Sequence, residues 1–401
     1  MLVVHKYGGT SVGDLDRIEN VATRVAKRKD SGDDLVVVVS AMSGETNKLI
    51  GYAEHFSATP AKKEMDMLLS SGERVTAALL AIALQSKGYK AVAMTGRQAG
   101  IVTDDRHTYA RIESIDPTAM REAIAAGNIV IVAGFQGINK EGDVTTLGRG
   151  GSDLSAVALA GALEADQCEI YSDVDGIYTT DPRIEPKAKK LDTISYDEML
   201  ELSSLGAKVL QNRSVELAKK LNVKLYAKSS FSDNEGTLIT KESNSMEAVL
   251  VSGVVLDKNQ ARVTLRGVSD RPGIAAEIFT KLAKENINVD MIIQNVGTDG
   301  ATNLGFTVPQ SEHENAKRVM EAFDHDIQGM DFDGNVCKVS VVGVGMKSHA
   351  GVAAKAFTVM AESNINIEMI STSEIKVSMI IKEKYGELAI RTLHEAYELD
   401  K

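Results

Sequence analysis

The N-terminal residues combine a lysine and two glycines in an order that suits phosphate binding. Lys6-Tyr7-Gly8-Gly9-Thr10-Ser11 directly follows the apolar run Leu2-Val3-Val4. A short strand opening into a glycine turn lets backbone N–H groups approach a polyanion, and the lysine adds a positive charge. The chain contains no G-x-x-x-x-G-K-[ST] sequence, so this is not a Walker loop. A plain tight turn would also explain the glycines, and the motif alone leaves both interpretations open.

A second glycine-rich segment, Leu147-Gly148-Arg149-Gly150-Gly151-Ser152-Asp153, strengthens the phosphate interpretation. Arg149 lies between glycines, and its planar guanidinium suits a carboxylate or a phosphate, whereas a helix cap does not need one. Ser152 or Asp153 could instead be the N-cap of the helix that follows. For Ser152, the cap and an anion-binding role fit the sequence equally well.

Other segments carry side chains that could contact a ligand. Ser70-Ser71-Gly72-Glu73-Arg74 interrupts a helical pattern, and a solvated Glu73 is the simpler interpretation from the residues alone. Residues 37–44 form a strand that ends in hydroxyls and a glycine. The acids of Ser172-Asp173-Val174-Asp175-Gly176-Ile177-Tyr178 could bind a metal or nucleotide hydroxyls, or form an Asx turn. Asp181-Pro182-Arg183 and Gly206-Ala207-Lys208 add positive charge to the same half.

Alternating strands and helices must position these residues within the first 240 positions. Buried strands are predicted at residues 2–4, 35–40, 91–94, 129–133, 167–171 and 224–227, and helices at 17–29, 64–86, 117–126 and 153–163. This order predicts an α/β fold with a mostly parallel sheet covered by helices. In such sheets ligands bind at the carboxyl ends of strands, where several of the glycine-rich and polar loops fall.

The remaining part of the chain contains an internal repeat. Residues 273–292 and 351–370 are offset by 78 positions and share eleven identical residues in twenty. Each copy is predicted as strand, loop, helix, Asn-Ile-Asn turn and strand, which gives two small β-α-β modules. A polar, turn-rich stretch at 229–245 is predicted to lead into a linker. We therefore predict an N-terminal α/β domain at 1–240, a linker with the first strand of the C-terminal region at 241–258, and modules at 259–332 and 333–401.

Composition excludes several classes of function. The 401-residue chain has a formal charge of −11, which argues against a nucleic-acid surface because phosphate backbones require clustered basic residues. It lacks a run of twenty uncharged apolar residues and a signal peptide, so we expect no membrane contact and a cytoplasmic location. Two distant cysteines, Cys168 and Cys337, suggest neither a disulfide framework nor a metal site.

Taken together, these segments resemble the amino acid kinase family, in the branch that phosphorylates aspartate. Six segments match the family's motifs in order, namely residues 6–11, 39–42, 72–73, 148–153, 173–176 and 206–210. The duplicated tail resembles paired ACT regulatory domains, so the resemblance covers essentially the whole chain. It implies the amino acid kinase fold followed by two ferredoxin-like βαβ ACT modules of the α+β type. The implied reaction is transfer of the γ-phosphoryl group of ATP, with Mg²⁺, to the β-carboxylate of L-aspartate, which gives 4-phospho-L-aspartate.

The resemblance also implies individual roles. Lys6 and the amides of Gly8 and Gly9 would hold the transferring phosphoryl group, and Asp153 would orient Lys6 or act through the magnesium ion. Arg149 would bind the α-carboxylate of the substrate and Glu73 its ammonium group. The implied substrate-binding residues are Ser40, Thr46, Glu73, Arg149, Gly150, Gly151 and Ser152. The implied ATP-binding residues are Lys6, Tyr7, Gly8, Gly9, Ser172, Asp173, Tyr178, Arg183 and Lys208, and no dedicated metal motif is present.

ACT pairs of this family bind end-product amino acids, so lysine, threonine or both are expected to inhibit. The matching positions are Asp270, Gly273, Ala275, Gln294, Asn366 and Ile367 for one effector, and Asp290 and Ser373 for lysine. Asp270 and Asn366 come from different copies, so a site is expected where modules meet. We expect a homo-oligomer formed through the ACT domains. Met246 could start a separately made regulatory subunit or be an ordinary linker methionine.

Two other functions remain open from the sequence. The first is another amino acid kinase, acting on acetylglutamate, glutamate or a nucleoside monophosphate. The second is an amino-acid sensor whose kinase half is vestigial, although Lys6, Glu73, Arg149 and Asp153 argue against a vestigial site.

Overall fold

The computed structural model describes residues 1–204, 209–241, 250–269, 271–296, 301–323, 325–346 and 351–401. The chain divides into two compact units. The first comprises Met1–Ile177, Lys190–Ser203 and Lys208–Asn244, and the second comprises Tyr178–Lys189, Ser204–Ala207 and Ser245–Lys401.

Strands and helices of the first half follow the predicted alternation. The strands are β1 (Leu2–Tyr7), β2 (Asp34–Val39), β3 (Ala91–Met94), β4 (Ile101–Thr103), β5 (Ile112–Ile115), β6 (Ile129–Ala133), β7 (Gln136–Ile138), β8 (Val144–Thr146), β9 (Gln167–Ser172), β10 (Thr193–Ser195), β11 (Leu225–Ser229) and β12 (Thr237–Thr240). The helices are α1 (Leu15–Asp30), α2 (Glu45–Phe56), α3 (Lys62–Leu69), α4 (Ser71–Ser86), α5 (Thr118–Ala125), α6 (Gly151–Leu163), α7 (Tyr196–Ser204) and α8 (Asn212–Leu221).

The main sheet confirms the mostly parallel prediction. Its strand order is β10-β12-β11-β9-β1-β2-β6-β3, and every neighbouring pair is parallel except β11 with β12. Residues 35–39 of β2 are fully buried, as expected for a strand covered on both faces. Helices α1 and α4 pack on one face through a core that includes Val3, Leu35 and Leu80.

Two sequence predictions need correction in this unit, and one sheet was not predicted. The predicted 64–86 helix is two helices, α3 and α4, because the helix is interrupted at Ser70. Strand β12 lies inside the stretch predicted to lead into a linker, where it pairs with β10 and β11. A separate sheet of order β5-β4-β7-β8 was not predicted, because its strands are only three or four residues long.

Helices α3 and α4 together form the stretch Lys62–Ser86, the one segment of the described residues that is long and apolar enough to cross a membrane by length and composition. Half of the most apolar 18-residue part of this stretch is buried inside the protein. Leu80 and Leu84 are fully buried in the core that α4 shares with α1. A core helix of a folded protein passes the same test, and we assign α4 that role.

The second unit contains the duplicated modules. Its strands are β13 (Gly253–Ser269), β14 (Ile292–Val296), β15 (Ala301–Val308), β16 (Gly329–Val342), β17 (Met369–Thr372) and β18 (Lys376–Lys382). Its helices are α9 (Ile274–Lys284), α10 (His313–Met320), α11 (Gly351–Glu362) and α12 (Gly386–Ala396). All six strands form one antiparallel sheet of order β14-β15-β13-β16-β18-β17.

Two long strands are shared between the modules. Residues 262–266 of β13 pair with 329–333 of β16, which gives the first module the order β14-β15-β13-β16. Residues 253–257 of β13 pair with 338–342 of β16, so the second module takes its fourth strand from a segment that precedes the first module. Each module is therefore a four-stranded ferredoxin-like unit, and the first is inserted within the second.

The segment Tyr178–Lys189 comes from the first half of the sequence but packs within the second unit. The Val254 N–H donates to the Thr179 carbonyl oxygen at 2.8 Å. The Thr179 Oγ1 lies 2.9 Å from His394 Nε2, and Ile184 packs on the core of the second module. The predicted domain boundaries do not account for this exchange of segments.

Candidate active site

Four adjacent parallel strands end at the same edge of the main sheet. These are β9, β1, β2 and β6. The connection after β1 leads to β2 on one side, whereas the connection after β9 leads to strands on the other side of the sheet. The direction of the strand order therefore reverses between β1 and β9, which creates a topological switch point. The loops that follow them begin at residues 173, 8, 40 and 134. Helix α6 starts at this edge too, because Gly134 is packed against Ser152; a Cβ at Gly134 would lie 2.9 Å from Ser152 Oγ. The motifs predicted at the first glycine turn and at the second glycine-rich segment are therefore brought to one edge.

Lys6 and Asp153 form the central ion pair of this edge. Lys6 Nζ lies 2.6 Å from Asp153 Oδ1, and the two side chains are 11% and 10% exposed. Strand alternation explains the placement, since His5 and Tyr7 face the opposite side of β1 from Lys6. Tyr7 is fully buried and its ring stacks on Tyr171 at 4.7 Å between centroids. The side chain of Tyr7 therefore belongs to the core, and only its main chain could face a nucleotide.

The glycine turn after β1 is held by main-chain hydrogen bonds. The Gly8 N–H donates to the Tyr171 carbonyl oxygen at 3.2 Å, so this amide already has an acceptor. Gly9 starts a short 3₁₀ helix, Gly9–Val12, whose first N–H groups have no acceptor within the helix. A Cβ on Gly9 would lie 3.1 Å from the Ala41 carbonyl oxygen, so the turn packs closely on the loop after β2. Of the two glycine amides predicted to bind phosphate, Gly9 is thus the better placed.

Glu73 is buried, which corrects the interpretation that it is solvated. It lies in the first turn of α4, is 4% exposed, and its Oε1 accepts a hydrogen bond from the Ala41 N–H at 3.1 Å. Gly72 permits this contact because it has no side chain. A Cβ at this position would lie only 2.8 Å from Ala41 Cβ and would clash with it. Burial raises the pKa of Glu73 to about 7, against a smaller opposing effect of the Ala41 amide. Its Oε2 is buried and has no hydrogen-bond partner among the described residues.

The Arg149 segment forms the start of α6. The N-cap is Gly150, with φ of 74°, so neither Ser152 nor Asp153 caps the helix; both are buried in its first turn. The Ser155 side chain accepts from the Phe135 N–H at 3.1 Å and donates to the Gly151 carbonyl oxygen at 3.0 Å, which ties the loop after β6 to the helix start. Arg149 is exposed, and its guanidinium forms no ion pair within the part of the chain that the structure describes. An unpaired guanidinium at a helix N-terminus suits an anionic ligand.

Ser40 and Thr46 lie on the loop and helix after β2. The Ser40 N–H donates to the Tyr7 carbonyl oxygen at 3.1 Å, and Ser40 is half-buried beside Ala41. Thr46 is half-buried in the first turn of α2. Both positions are compatible with the substrate-binding role implied by the resemblance, which stays a prediction.

The predicted nucleotide residues are distributed over several segments. Ser172 Oγ accepts from the Val174 N–H at 3.1 Å, so a serine-led turn follows β9, and Asp173 is exposed there. Tyr178 and Arg183 belong to the second unit, where Arg183 is paired with Asp181 at 2.7 Å. Lys208 lies outside the described residues. The ATP-binding roles of these residues stay predictions.

The predicted effector residues lie in the second unit. Gly273 is the N-cap of α9 with φ of 98°, and Ala275 lies in the first turn of that helix. Asp290 is paired with Lys338 beside a cavity of about 330 Å³. Asp270 lies outside the described residues.

Sheet order separates the two groups of effector residues within one chain. Gln294 is exposed on the edge strand β14, while Asn366, Ile367 and Ser373 flank β17 at the opposite edge. The modules of one chain meet at β13 and β16 instead. The expected joint site of Asp270 and Asn366 stays a prediction.

Residues that the sequence did not single out surround the Arg149 segment. Gln211 Nε2 donates to the Arg149 carbonyl oxygen at 3.0 Å, and Arg213 Nη1 donates to the Leu147 carbonyl oxygen at 2.7 Å. Tyr109 packs on Gly148. Their partners are main-chain atoms distant in sequence, so no local pattern could have identified them.

Comparison with known proteins agrees with this geometry. Residues 1–228 match the amino acid kinase family, and residues 263–322 and 339–397 match the ACT domain. The chain is 57% identical to the aspartokinase of Helicobacter pylori over 405 residues, covering 100% of both chains. It is 53% identical to the aspartokinase of Pseudomonas aeruginosa, covering 100% of this chain and 98% of the other.

Solved structures show the same relationship. The structure of E. coli aspartokinase III in complex with aspartate and ADP matches with a TM-score of 0.80 and 26% identity, covering 99% of each chain. A second structure of that enzyme, with lysine and aspartate, matches with a TM-score of 0.80 over 98% of this chain and 99% of the other. The chain belongs to the amino acid kinase family and, within it, to the aspartokinases.

Proposed function

We propose that the chain transfers the γ-phosphoryl group of ATP to the β-carboxylate of L-aspartate. The observation that supports this most is the Lys6–Asp153 ion pair at the carboxyl ends of the parallel strands. The same edge carries the Arg149 segment, whose guanidinium forms no ion pair among the described residues, and the loop after β2 that contacts the buried Glu73. The related E. coli enzyme was solved with aspartate and ADP. The residues here supply one cation for phosphate, one for a carboxylate and one buried carboxylate for an ammonium group.

The chemistry needs positioning and charge neutralisation rather than a base. A carboxylate has a pKa of about 4, so the attacking group is already ionised at neutral pH. The barrier arises because one anion approaches another, and preorganised donors lower it. We assign Lys6 and the Gly9 amide to neutralise the transferring phosphoryl group, and Asp153 holds the lysine ammonium at 2.6 Å, which supports this assignment.

Magnesium would enter with the nucleotide. Such ions are usually held by one or two carboxylates together with substrate phosphates, rather than by a dedicated protein cage. Asp153 offers one carboxylate beside Lys6, so the residues present fit this arrangement. When bound, the ion neutralises charge on the phosphates, and Asp153 is the residue we assign to its contact.

A hydroxylamine-trapping assay tests the proposed reaction. Acyl phosphates react with hydroxylamine to give hydroxamates, so the enzyme with Mg-ATP should yield a hydroxamate with L-aspartate. N-acetylglutamate and glutamate should yield none, and a nucleoside monophosphate should not increase ADP release. Hydroxamate formed from one of the other acids in preference to aspartate would reject the proposed substrate.

Glu73 should make aspartate use depend on pH. With a pKa of about 7, Glu73 is neutral below that pH and becomes an anion above it, while the substrate ammonium stays charged over this range. We therefore expect kcat/KM for aspartate to rise as pH increases from 6 to 8, and the E73Q variant to lose this rise. Succinate, which lacks the ammonium group, is the control and should show no rise.

The same shift has a consequence for stability. The carboxyl pKa of Glu73 is about 7 in the folded protein and 4.5 in the unfolded chain, so protonation of Glu73 stabilises the folded state. This contribution to the free energy of unfolding is fully present below pH 4.5 and is lost as pH rises through about 7. The ligand-free enzyme should thus unfold more easily at pH 8 than at pH 6, and E73Q should reduce that difference. A wild-type rate profile for aspartate that is flat between pH 6 and 8 would contradict the assignment of Glu73.

Feedback inhibition is proposed through the second unit. The related E. coli enzyme was solved with lysine and aspartate in a T-state. Here Gln294 and Asn366 lie at opposite edges of the sheet, so we propose that a second copy of the chain completes the effector site. The proposed effectors are lysine, threonine or both, and effector binding would shift an equilibrium between two states of the enzyme.

Gln294→Ala should relieve inhibition without reducing activity. Gln294 is exposed and far in sequence from the residues assigned to catalysis, so loss of its side chain should weaken only the binding of the effector. We expect the concentration of lysine or threonine for half-inhibition to rise about tenfold, equivalent to one charge-assisted hydrogen bond. The neighbouring exposed Asn295→Ala is the control. Unchanged sensitivity of Q294A to both amino acids, alone and mixed, would exclude this site.

Assembly and location complete the proposal. We propose a homo-oligomer formed through the second unit and a cytoplasmic location. Met246, the candidate internal start, lies outside the described residues, and a separate regulatory subunit stays a prediction.

A further inference from the structure

The segment that carries Arg149 has little structure of its own. Gly148 and Gly150 have φ values of 81° and 74°, in the left-handed region that glycine adopts readily. Within the segment, the Gly151 N–H donates to the Gly148 carbonyl oxygen at 2.9 Å. A guanidinium flanked by two glycines keeps a fixed position only if other elements hold its backbone.

Arg213, at the start of α8, holds the residue before the first glycine. Its Nη1 donates to the Leu147 carbonyl oxygen at 2.7 Å and its Nη2 to the Ala110 carbonyl oxygen at 3.0 Å. The guanidinium lies 4.8 Å from the centroid of the Tyr109 ring. That ring closes on Gly148, where a Cβ would lie 2.6 Å from Tyr109 Cδ2. The Arg213 guanidinium thus fixes the loops that contain Leu147 and Ala110, together with the Tyr109 ring.

Gln211, two residues earlier, holds Arg149 itself. Its Nε2 donates to the Arg149 carbonyl oxygen at 3.0 Å. Its side chain also covers Gly150, where a Cβ would lie 2.6 Å from Gln211 Cγ. Because α8 packs against α6, both contacts are made by a helix already fixed to the one that begins at Gly151.

We propose that Gln211 and Arg213 are positioning residues for aspartate, acting through Arg149. This inference rests on the proposed function, in which Arg149 binds the substrate α-carboxylate. Both side chains act on the Arg149 segment through main-chain oxygens, and together they fix the backbone on both sides of the glycine that precedes Arg149. Misplacing a binding group by about 1 Å can lower a rate by about a hundredfold, so a loosened segment should weaken aspartate binding measurably.

Two single variants measure the effect. R213M should raise the KM for aspartate about tenfold and leave the KM for ATP within about threefold, since only the Arg149 segment is released. R213K should have a smaller effect than R213M, because lysine keeps the charge but cannot bridge both carbonyl oxygens as a planar fork. Q211L should raise the aspartate KM about threefold through loss of one neutral hydrogen bond.

R121M is the matched control. Arg121 also donates to a main-chain oxygen, that of Ala162, at 3.4 Å, and this contact is at the opposite end of α6. The R121M variant should therefore have the wild-type KM for aspartate. Thermal unfolding of every variant separates a loss of folding from a loss of positioning, and Q211L keeps the test decisive if R213M fails to fold.

A double-mutant cycle with R149A decides the mechanism. If Arg213 acts through Arg149, R213M should change the aspartate KM by less than about twofold in the R149A background. An equal rise in both backgrounds, or folded R213M and Q211L with wild-type KM, would overturn the inference while leaving the proposed function intact. If R149A alone leaves the aspartate KM unchanged, the role of Arg149 in the proposed function fails and the inference fails with it.

Discussion

Replacing Lys6 with methionine should lower kcat by at least about a hundredfold, the scale expected for one preorganised charge in a transition state. The reason is that Asp153 holds Lys6 Nζ at 2.6 Å, at the strand edge where the phosphoryl group is proposed to bind. The KM for aspartate should change less, because Lys6 is assigned to the phosphoryl group. Steady-state kinetics with saturating aspartate and ATP measures this effect.

Lys228→Met is the matched control for this experiment. Lys228 also pairs with a buried carboxylate of the same sheet, since its Nζ lies 2.9 Å from Glu169 Oε1. Its loss should lower stability, because it leaves a buried charge with one partner fewer, but should keep kcat within about threefold. A K6M variant that is folded and keeps more than about a tenth of wild-type kcat would reject the assignment of Lys6.

Replacing Arg149 with alanine should raise the KM for aspartate about a hundredfold, which corresponds to losing a bidentate charged pair worth about 3 kcal/mol. Arg149→Lys should lie between the wild type and the alanine variant, because an ammonium group cannot reproduce the planar fork. The exposed guanidinium has no protein ion-pair partner among the described residues, so its loss should not unfold the chain.

The substrate itself provides the control for Arg149. β-Alanine has the reactive carboxylate and the amino group of aspartate but lacks the α-carboxylate. The wild type should therefore strongly prefer aspartate, and R149A should lose most of that preference. A variant that discriminates between the two acids as well as the wild type does would show that Arg149 contacts something else.

Much of the fold followed from the sequence because its signals are local. The apolar run of β2, with residues 35–39 fully buried, predicts a strand covered on both faces. The 78-residue repeat predicted two modules that each contain a helix ahead of an Asn-Ile-Asn turn, and α9 and α11 confirm this. The small second sheet and β12 were missed, because their strands of three or four residues each include polar residues, which makes so short a pattern hard to distinguish from a loop.

The site was predicted only in part. Glycine and charge spacing identified the Lys6 and Arg149 segments, but not the ion pair between Lys6 and Asp153, which lies 147 positions later in the sequence. Burial of Glu73 depends on Gly72 fitting against Ala41, a contact between two loops that no periodicity shows. The exchange of Gly253–Asp257 between modules was not foreseen either, since strand pairing depends on the partner β16 rather than on the strand's own residues.

The most direct test of the central claim is a crystal structure with aspartate, Mg²⁺ and a non-hydrolysable ATP analogue. We predict that the terminal phosphate contacts Lys6 Nζ and the Gly9 amide, with the aspartate β-carboxylate in line and its α-carboxylate on Arg149. A terminal phosphate bound away from Lys6, or an aspartate whose β-carboxylate rather than α-carboxylate is held by Arg149, would contradict the proposed mechanism.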